Sequence, residues 1–267
     1  MVLLYRKERT IDAINKLSVV QEHRPYLGMS QLGHSCERYL WYSFRWCYTE
    51  TIPARVVRLF AHGHREEEVI FDSLKEVGIK VYNKQKEIIA VHGHVRGHID
   101  GECTGVIEAP KTPHLAECKT MHDKNFKKAL KEGITGFPTY WAQAQLYMRS
   151  LKLTRCLFVC VNKNDDDMYI ERINADDYTY EVMIDKAERV ILSEQPPEKK
   201  FAPTWYECKW CSANKICHGG EAVDKNCRTC KNCDLAPAGK WLCSIQKDKV
   251  LSVKKQREGC DKWQSLL

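Results

Sequence analysis

Two short stretches decide how this chain folds: Gly97-His-Ile-Asp100 and, 17 residues beyond that aspartate, Glu117 within Leu115-Ala-Glu-Cys-Lys119. Both read as short strands. Along a strand, residues i and i+2 share a face, so Glu117 and Lys119 project together and Cys118 points the other way. Carboxylates on adjacent strands can hold a divalent cation, and a neighbouring lysine can orient or help deprotonate a water and steady the charge on a phosphate. A bare Glu-x-Lys equally describes the solvated face of an amphipathic strand, so the flanking pattern has to decide.

Upstream, residues 1–24 have a helical pattern with Leu3, Leu4, Ile11, Ile14 and Leu17 in phase, and a second helix is expected over Cys36–Trp46. A third is expected over Arg55–Val77, with Val56, Leu59, Phe60, Val69, Ile70, Leu74 and Val77 as one apolar stripe ended by Gly78. The period then changes. Residues 79–82, 87–91, 95–103 and 115–120 read as successive short strands separated by glycine and proline. Helices are expected over 123–131 and 138–151, the latter with Pro138 in its first turn. Strands over 155–161 and 168–173 flank an Asn/Asp-rich turn, and a last helix covers about 175–193. This order predicts an α/β fold in which a mixed sheet is flanked by helices.

The chain has 267 residues, 43% of them hydrophobic, enough for a sizeable core and a small appended module. No run of about 18 apolar residues occurs, and the N-terminus turns charged within a few residues, so an intracellular, cytoplasmic protein is expected, with no membrane partner. In a reducing compartment, clustered thiols point to metal ligation rather than disulfides. Of the 14 cysteines, eight lie beyond residue 198, and residues 199–267 hold 14 basic and 7 acidic side chains while residues 1–198 balance at 28 of each. The net charge of +7 therefore belongs to the cysteine-rich tail. Such a tail suits an anionic partner, nucleic acid first among them, although a solvated lysine-rich surface is the commoner reading of charge alone.

Four features, in order, resemble the PD-(D/E)XK nuclease superfamily, on the RecB-like branch that includes the iron-sulfur exonucleases of CRISPR adaptation and phage recombination. They are Gly63-His-Arg-Glu-Glu67 on the third helix, Gly97-His-Ile-Asp100, Glu117-Cys-Lys119, and Tyr140-Trp-Ala-Gln143-Ala-Gln-Leu-Tyr147. No proline precedes Asp100, a departure common among RecB-like members. The resemblance implies a restriction-endonuclease-like core and a Mg²⁺- or Mn²⁺-dependent deoxyribonuclease, an exonuclease acting on single strands or duplex ends. It implies that Asp100, Glu117 and the Cys118 carbonyl ligate the metal with Glu67 assisting, that Lys119 works on the nucleophile, and that Gln143 and Tyr147 position DNA. Glu66 and Glu68 compete with Glu67 for the inward position, and His64 and His98 have weaker claims as phosphate contacts or structural groups.

Cys208-Lys-Trp-Cys211 followed by Cys217 supplies three thiolates, so a fourth ligand must come from elsewhere. Cys36, in Gly33-His-Ser-Cys36-Glu-Arg38, resembles the single N-terminal cysteine of the iron-sulfur nucleases, which implies a [4Fe-4S] cluster on Cys36, Cys208, Cys211 and Cys217. Zinc at the same sulfurs, with His218 as a substitute ligand, remains an alternative. Residues 1–220 would then be the nuclease core, stapled by that cluster. Residues 221–267 read as a basic module on a structural Zn²⁺ held by Cys227, Cys230, Cys243 and Cys260, with Cys233 as an alternative to Cys227 and Trp241 and Trp263 as candidate base-stacking groups. Cys47, Cys103, Cys156 and Cys160 read as buried small hydrophobes. A phage or mobile-element recombination role, with a recombination protein as partner, is implied by resemblance alone. A non-cutting nucleic-acid-binding adaptor and a redox sensor are the competing classes.

Overall fold

The structure is a computed structural model that describes residues 9–267. Leu3 and Leu4 of the expected first helix lie outside the described residues. Inside them, that helix is α1 (Arg9–Asn15) alone. Val19–Gln21 instead forms strand β1, which pairs antiparallel with β3 (Glu50–Ile52). Val19 and Val20 are β-branched, and such residues lose side-chain freedom in a helix.

The central sheet has the order β10-β9-β8-β7-β4, built from β4 (Lys80–Tyr82), β7 (Gly101–Thr104), β8 (His114–Met121), β9 (Arg155–Asn162) and β10 (Met168–Asn174). Only β8 and β9 run parallel; the other pairs are antiparallel. Period two sends alternate residues of β9 to different layers. Cys156, Phe158 and Cys160 join the core shared with α5 (Pro138–Ser150) and α6 (Asp177–Leu192), while Leu157, Val159 and Val161 meet Ile70, Phe71 and Leu74 of α3 (Ala54–Glu76). Burial of an aliphatic or aromatic side chain of this size is worth about 1.5–3 kcal/mol, so both faces of the sheet hold their layers strongly.

The expected apolar stripe of α3 is only half used. Ile70 and Leu74 are buried over the sheet, whereas Leu59 and Phe60 in the first half of the helix are exposed, and so are Val69 and Val77, which lie off its buried face. The strand expected over 95–103 is also two strands. β6 (Val95–His98) leaves for a separate sheet with β2 (Leu27–Gly28) and β5 (Glu87–Ala90), and Ile99-Asp100 is the joint at which the chain passes into β7. Val91, His92 and Gly93, all at positive φ, make the sharp turn between β5 and β6.

Helix ends follow local chemistry. α5 has proline in its first turn, and Asp176 caps α6 by accepting from the Tyr178 N–H at 3.1 Å. α4 (Asp123–Glu132) stops at Gly133, which takes φ 66°.

The tail contains β11 (Cys233–Ala236), β12 (Lys240–Cys243), β13 (Lys249–Val250) and α9 (Val253–Glu258), and it is packed into the main body. Trp241 is fully buried against Phe44 and His94, which removes it as a surface stacking group, and Trp263 is half-buried against the same core. Arg228, 0% exposed, is clamped in the seam. It donates to the carbonyls of Phe44 (3.0 Å) and Pro25 (2.8 Å) and to Gln256 (2.8 Å), and its guanidinium lies 3.8 Å from the centre of the Trp46 ring. A cation–π contact without water is worth on the order of 2 kcal/mol. Arg228 is therefore a structural cation, not part of the tail's exposed charge.

Replacing Arg228 by Met keeps bulk but strands two buried acceptors, Gln256 and the Phe44 carbonyl, and the half-buried Pro25 carbonyl. It should cost about 2–4 kcal/mol, read as a fall in Tm of roughly 5–10 °C. A variant melting with the wild type would show that the seam is held by other contacts.

Candidate active site

The break between β6 and β7 builds the site. Past Gly101, where the β7–β8 ladder ends, the Asp100 carboxylate accepts the Cys118 N–H at 2.8 Å. Asp100 is thereby pinned beside the strand that carries Glu117 and Lys119. On β8, Glu117 and Lys119 share the α5 face and form an ion pair, while Cys118 turns to the α3 layer as the strand pleat requires. Lys119 also donates to the Cys118 carbonyl at 3.2 Å and lies 4.0 Å from Asp100. From α3, Glu67 approaches the same group and accepts from Gln85 at 3.0 Å.

Glu117 is 0% exposed. One of its oxygens accepts from Lys119 and from Gln143, the latter at 2.7 Å, while the other, Oε2, is buried without a partner. Burial first, then the charge of Asp100, pushes its carboxyl up to about 8. Burial and Asp100 raise Glu67 in the same direction. For Lys119, burial works against the ammonium, but Glu117 and Asp100 together outweigh it and hold the side chain protonated. Three carboxyl groups crowd one ammonium, so the raised Glu117 and Glu67 carboxyls hold protons more tightly, and full ionisation of the group needs something positive brought to it. The donor set suits a hard divalent cation such as Mg²⁺ or Mn²⁺.

Beside this group lies a cleft of about 680 Å³ lined by Glu67, Asp100, Lys119 and Tyr140, with Arg24 and Lys163 as cations and Leu59 and Phe60 as apolar wall. The exposed half of α3 thus faces the cleft. Glu66 and Glu68 do not line it; Glu68 pairs with Lys84 at 2.8 Å. His64 does line it, and His98 does not.

Gln143 and Tyr147 are not surface groups for a ligand. Gln143 is 7% exposed and holds Glu117 from beneath, and Tyr147 is 2% exposed, its ring against Gly97, where any side chain would collide with it. Both support the carboxylates through packing. Sequence reasoning missed Gln85, Arg24 and Lys163, which come from turns and chain segments with no periodic signal. Tyr140, whose ring lies 5.7 Å from the Lys119 ammonium, was at least inside the quoted motif.

The cysteines fall into two groups. Cys36, Cys208, Cys211 and Cys217 line one cavity, and Cys208 and Cys211 are raised by burial and then by negative charge on other members. In the tail, burial and then Cys260, Cys243 and Cys230 push Cys227 up to about 11. Cys233 faces Cys243 across β11–β12 and sits beside the buried Arg45 and Arg228. Such mutual repulsion is what a bound cation relieves. Among the described residues, no three His, Cys, Asp or Glu side chains converge as a ready-made metal cage. Cys47, Cys103, Cys156 and Cys160 are buried as expected, and so is Cys118. No helix among the described residues is long and apolar enough to cross a membrane.

The fold and site thus define an α/β protein with a buried acidic group and one lysine at the edge of a basic cleft. No family model and no curated protein matches the chain. Among solved structures it is similar to SSO0001, with a TM-score of 0.44 and 17% identity over 80% of this chain and 98% of that one. It is also similar to an alkaline exonuclease (LHK-Exo) from Laribacter hongkongensis, with a TM-score of 0.42 and 16% identity over 63% and 87%. A third match is LHK-Exo in complex with dAMP, at 0.40 and 15% over 62% and 86%. Likeness at these scores carries no argument about activity, which has to come from the site itself.

The raised carboxyl of Glu117 makes a pH prediction. In the unfolded chain the group titrates near about 4.3, so the folded protein binds this proton more tightly. Its contribution to stability is complete below the unfolded value and is lost as pH rises to about 8. In EDTA, the Tm of the wild type should therefore decline from pH 5 to pH 8.5, and Glu117→Gln should flatten that decline. A parallel decline in the variant would assign the slope to other groups.

Proposed function

We propose that this chain is a divalent-metal-dependent DNA nuclease that hydrolyses phosphodiester bonds, acting as an exonuclease on single strands or duplex ends. The observation that carries the reading is the buried, partnerless Oε2 of Glu117, set beside Asp100 and Glu67 under a cleft with cationic walls. Glu67, Asp100, Glu117 and the Cys118 carbonyl would hold Mg²⁺ or Mn²⁺. Such a cation supplies Lewis-acid polarisation of the phosphoryl group and a water of lowered pKa.

The chain's own groups account for the rest. Lys119, kept charged by Glu117 and Asp100, presents an ammonium at the cleft floor, where it can orient the attacking water and offset charge developing on the phosphate. Gln143 fixes the orientation of Glu117, and Gln85 does the same for Glu67. Arg24 and Lys163 are placed to meet the flanking phosphates, and the Phe60 and Tyr140 rings offer faces to the sugar or base.

Two further groups belong to the proposal as structural staples. The shared cavity of Cys36, Cys208, Cys211 and Cys217 supports a four-thiolate centre, read as [4Fe-4S], that ties the loop before α2 (Glu37–Phe44) to the segment carrying α7 (Tyr206–Lys209) and α8 (Asn214–Cys217). The surroundings of Cys227 support Zn²⁺ on Cys227, Cys230, Cys243 and Cys260, with Cys233 left as a buried thiol against Arg45 and Arg228. Under this reading residues 1–220 are the nuclease core and 221–267 a zinc-stabilised unit. A cytoplasmic, phage or mobile-element setting and a recombination partner protein stand as proposals on the sequence resemblance.

Purified protein should degrade DNA with Mg²⁺ or Mn²⁺ and not with EDTA, and Asp100→Ala or Lys119→Ala should lower the rate by at least 10²-fold, a loss typical of removing a charge-stabilising group. Absence of cleavage with either metal, or cleavage untouched by both substitutions, would leave the acidic group structural. Metal analysis tests the staples separately. About four iron and one zinc per chain, with visible thiolate-to-iron absorption, are expected; a colourless protein with two zinc atoms would replace the iron-sulfur assignment by zinc.

A further inference from the structure

Phe201, Trp205, Tyr206 and Trp210 form an aromatic run at the surface, with Trp210 88% exposed. The Phe201 and Trp205 rings stack with centroids 5.4 Å apart and planes 7° apart, and the Tyr206 ring lies 5.1 Å from Trp205 at a tilt of 53°. Large rings left in water forfeit their burial energy, and a grouped set of them marks a surface meant to be covered. Its surroundings indicate by what. Lys199, Lys200 and Lys209 are exposed within the same run, and the Lys200 ammonium lies 5.5 Å from the centre of the Phe201 ring. The two carboxylates in the wall are engaged: Glu207 accepts from Ser35 (2.8 Å), Tyr206 (3.0 Å) and Trp205 (3.4 Å), and Glu50 accepts from Ser212 (2.9 Å). Aromatic faces interleaved with lysines match unpaired bases on a phosphate backbone. The bases of a duplex hide their faces in their own stack.

The run is also connected to the candidate active site. Phe201, Tyr206 and Trp210 line a recess of about 410 Å³ together with Tyr39, Glu50 and three of the cysteines proposed for the four-thiolate centre, Cys36, Cys208 and Cys211. Tyr39 and Glu50 also line a polar recess of about 150 Å³, and that recess shares Gln21 and Arg24 with the cleft that holds Lys119. Neighbouring recesses with shared walls thus lie between the aromatic surface and the acidic group.

We propose that the Phe201, Trp205, Tyr206 and Trp210 surface is a binding subsite for the unpaired bases of single-stranded DNA, from which the strand passes Tyr39 and Arg24 to the catalytic cleft. The inference deepens the nuclease reading, and its binding half can be tested without cleavage. The intact chain, in EDTA, is titrated into a fluorescent oligothymidylate and into a blunt hairpin duplex, and anisotropy is followed. The wild type should prefer the single strand. Trp210→Ala should weaken that binding roughly tenfold, Trp205→Ala combined with it should weaken it further, and Trp210→Phe, which keeps a stacking face, should restore most of the affinity. At 88% exposure, loss of Trp210 leaves the fold intact, which an unchanged Tm verifies.

Duplex binding as tight as single-strand binding would overturn the proposal, and so would a Trp210→Ala variant within twofold of wild type. The two readings fail separately. Cleavage abolished by Asp100→Ala, with strand binding indifferent to Trp210, keeps the nuclease and removes the subsite. Binding weakened by Trp210→Ala in a protein that cuts nothing with Mg²⁺ or Mn²⁺ keeps the subsite and removes the nuclease.

Discussion

Glu117 sits on β8, hydrogen-bonded to β7 on one side and β9 on the other, with no exposed surface and one oxygen lacking any partner. A carboxylate in that position destabilises the metal-free fold by several kcal/mol unless it is protonated or compensated. The rest of the structure is arranged to tolerate it. Both faces of the sheet are filled with aliphatic and aromatic side chains, which supply the stability that the acidic group subtracts. Lys119 and Gln143 share the satisfied oxygen, which fixes the side chain, and the group as a whole feels the negative charge of Asp100 and Glu67. Under the proposed reading, this rigidly held energetic fault is where a divalent cation would act, although no three ligating side chains already converge among the described residues.

The parts of this arrangement that follow from a period of two or of 3.6 were legible in the sequence. Alternation placed Glu117 and Lys119 together and Cys118 opposite, and the long helix, the α5 helix and the β9–β10 hairpin lie within a residue or two of their expected bounds. What could not be read was where a pattern stops. Inside residues 95–103 the Asp100-Gly101 dipeptide is a turn signal, but it does not say that the chain changes sheets there, and that change is what lets the Asp100 carboxylate reach the Cys118 N–H. Burial direction was equally hidden. Gln143 and Tyr147 are polar enough to suggest a ligand-facing surface, but a buried carboxylate needs a donor and Gly97 leaves room for a ring, so both are turned inward. The same limit applies to the apolar face of α3. Periodicity identifies a stripe without saying which half meets a sheet and which half walls a cleft.

One basic residue of the tail departs from expectation for a related reason. The Lys and Arg count of the tail includes Arg228, which is buried, because charge counts do not distinguish a surface ammonium from a buried guanidinium. Arg228 and Arg45 lie under the tail with no carboxylate among their hydrogen-bond partners, fixed instead by carbonyls and by the faces of Trp41, Trp46 and Trp241. Arginine suits this role because its planar fork satisfies several acceptors while stacking on rings, which the compact ammonium of lysine does less well.

These contacts converge on one stretch of chain. Pro25, Phe44, Trp46 and Cys47 are each bonded from the tail, by Arg228, Asn226 or the Asp224 N–H, and Cys36 lies against the Cys208–Cys217 segment. The segment from 25 to 47 is therefore held between two cysteine-rich groups that come from the other end of the sequence. Gln21 and Arg24, immediately before it, form part of the cleft wall opposite the acidic residues. The bonds that hold this segment come from Asp224, Asn226 and Arg228, so the placement of the adjoining Arg24 depends on residues about 200 positions away in sequence. Long-range closure of this kind carries a chain-entropy cost that grows only slowly with the length of chain enclosed. That slow growth makes it physically reasonable for the last 60 or so residues of the described chain to act as the clamp on the first part of its fold.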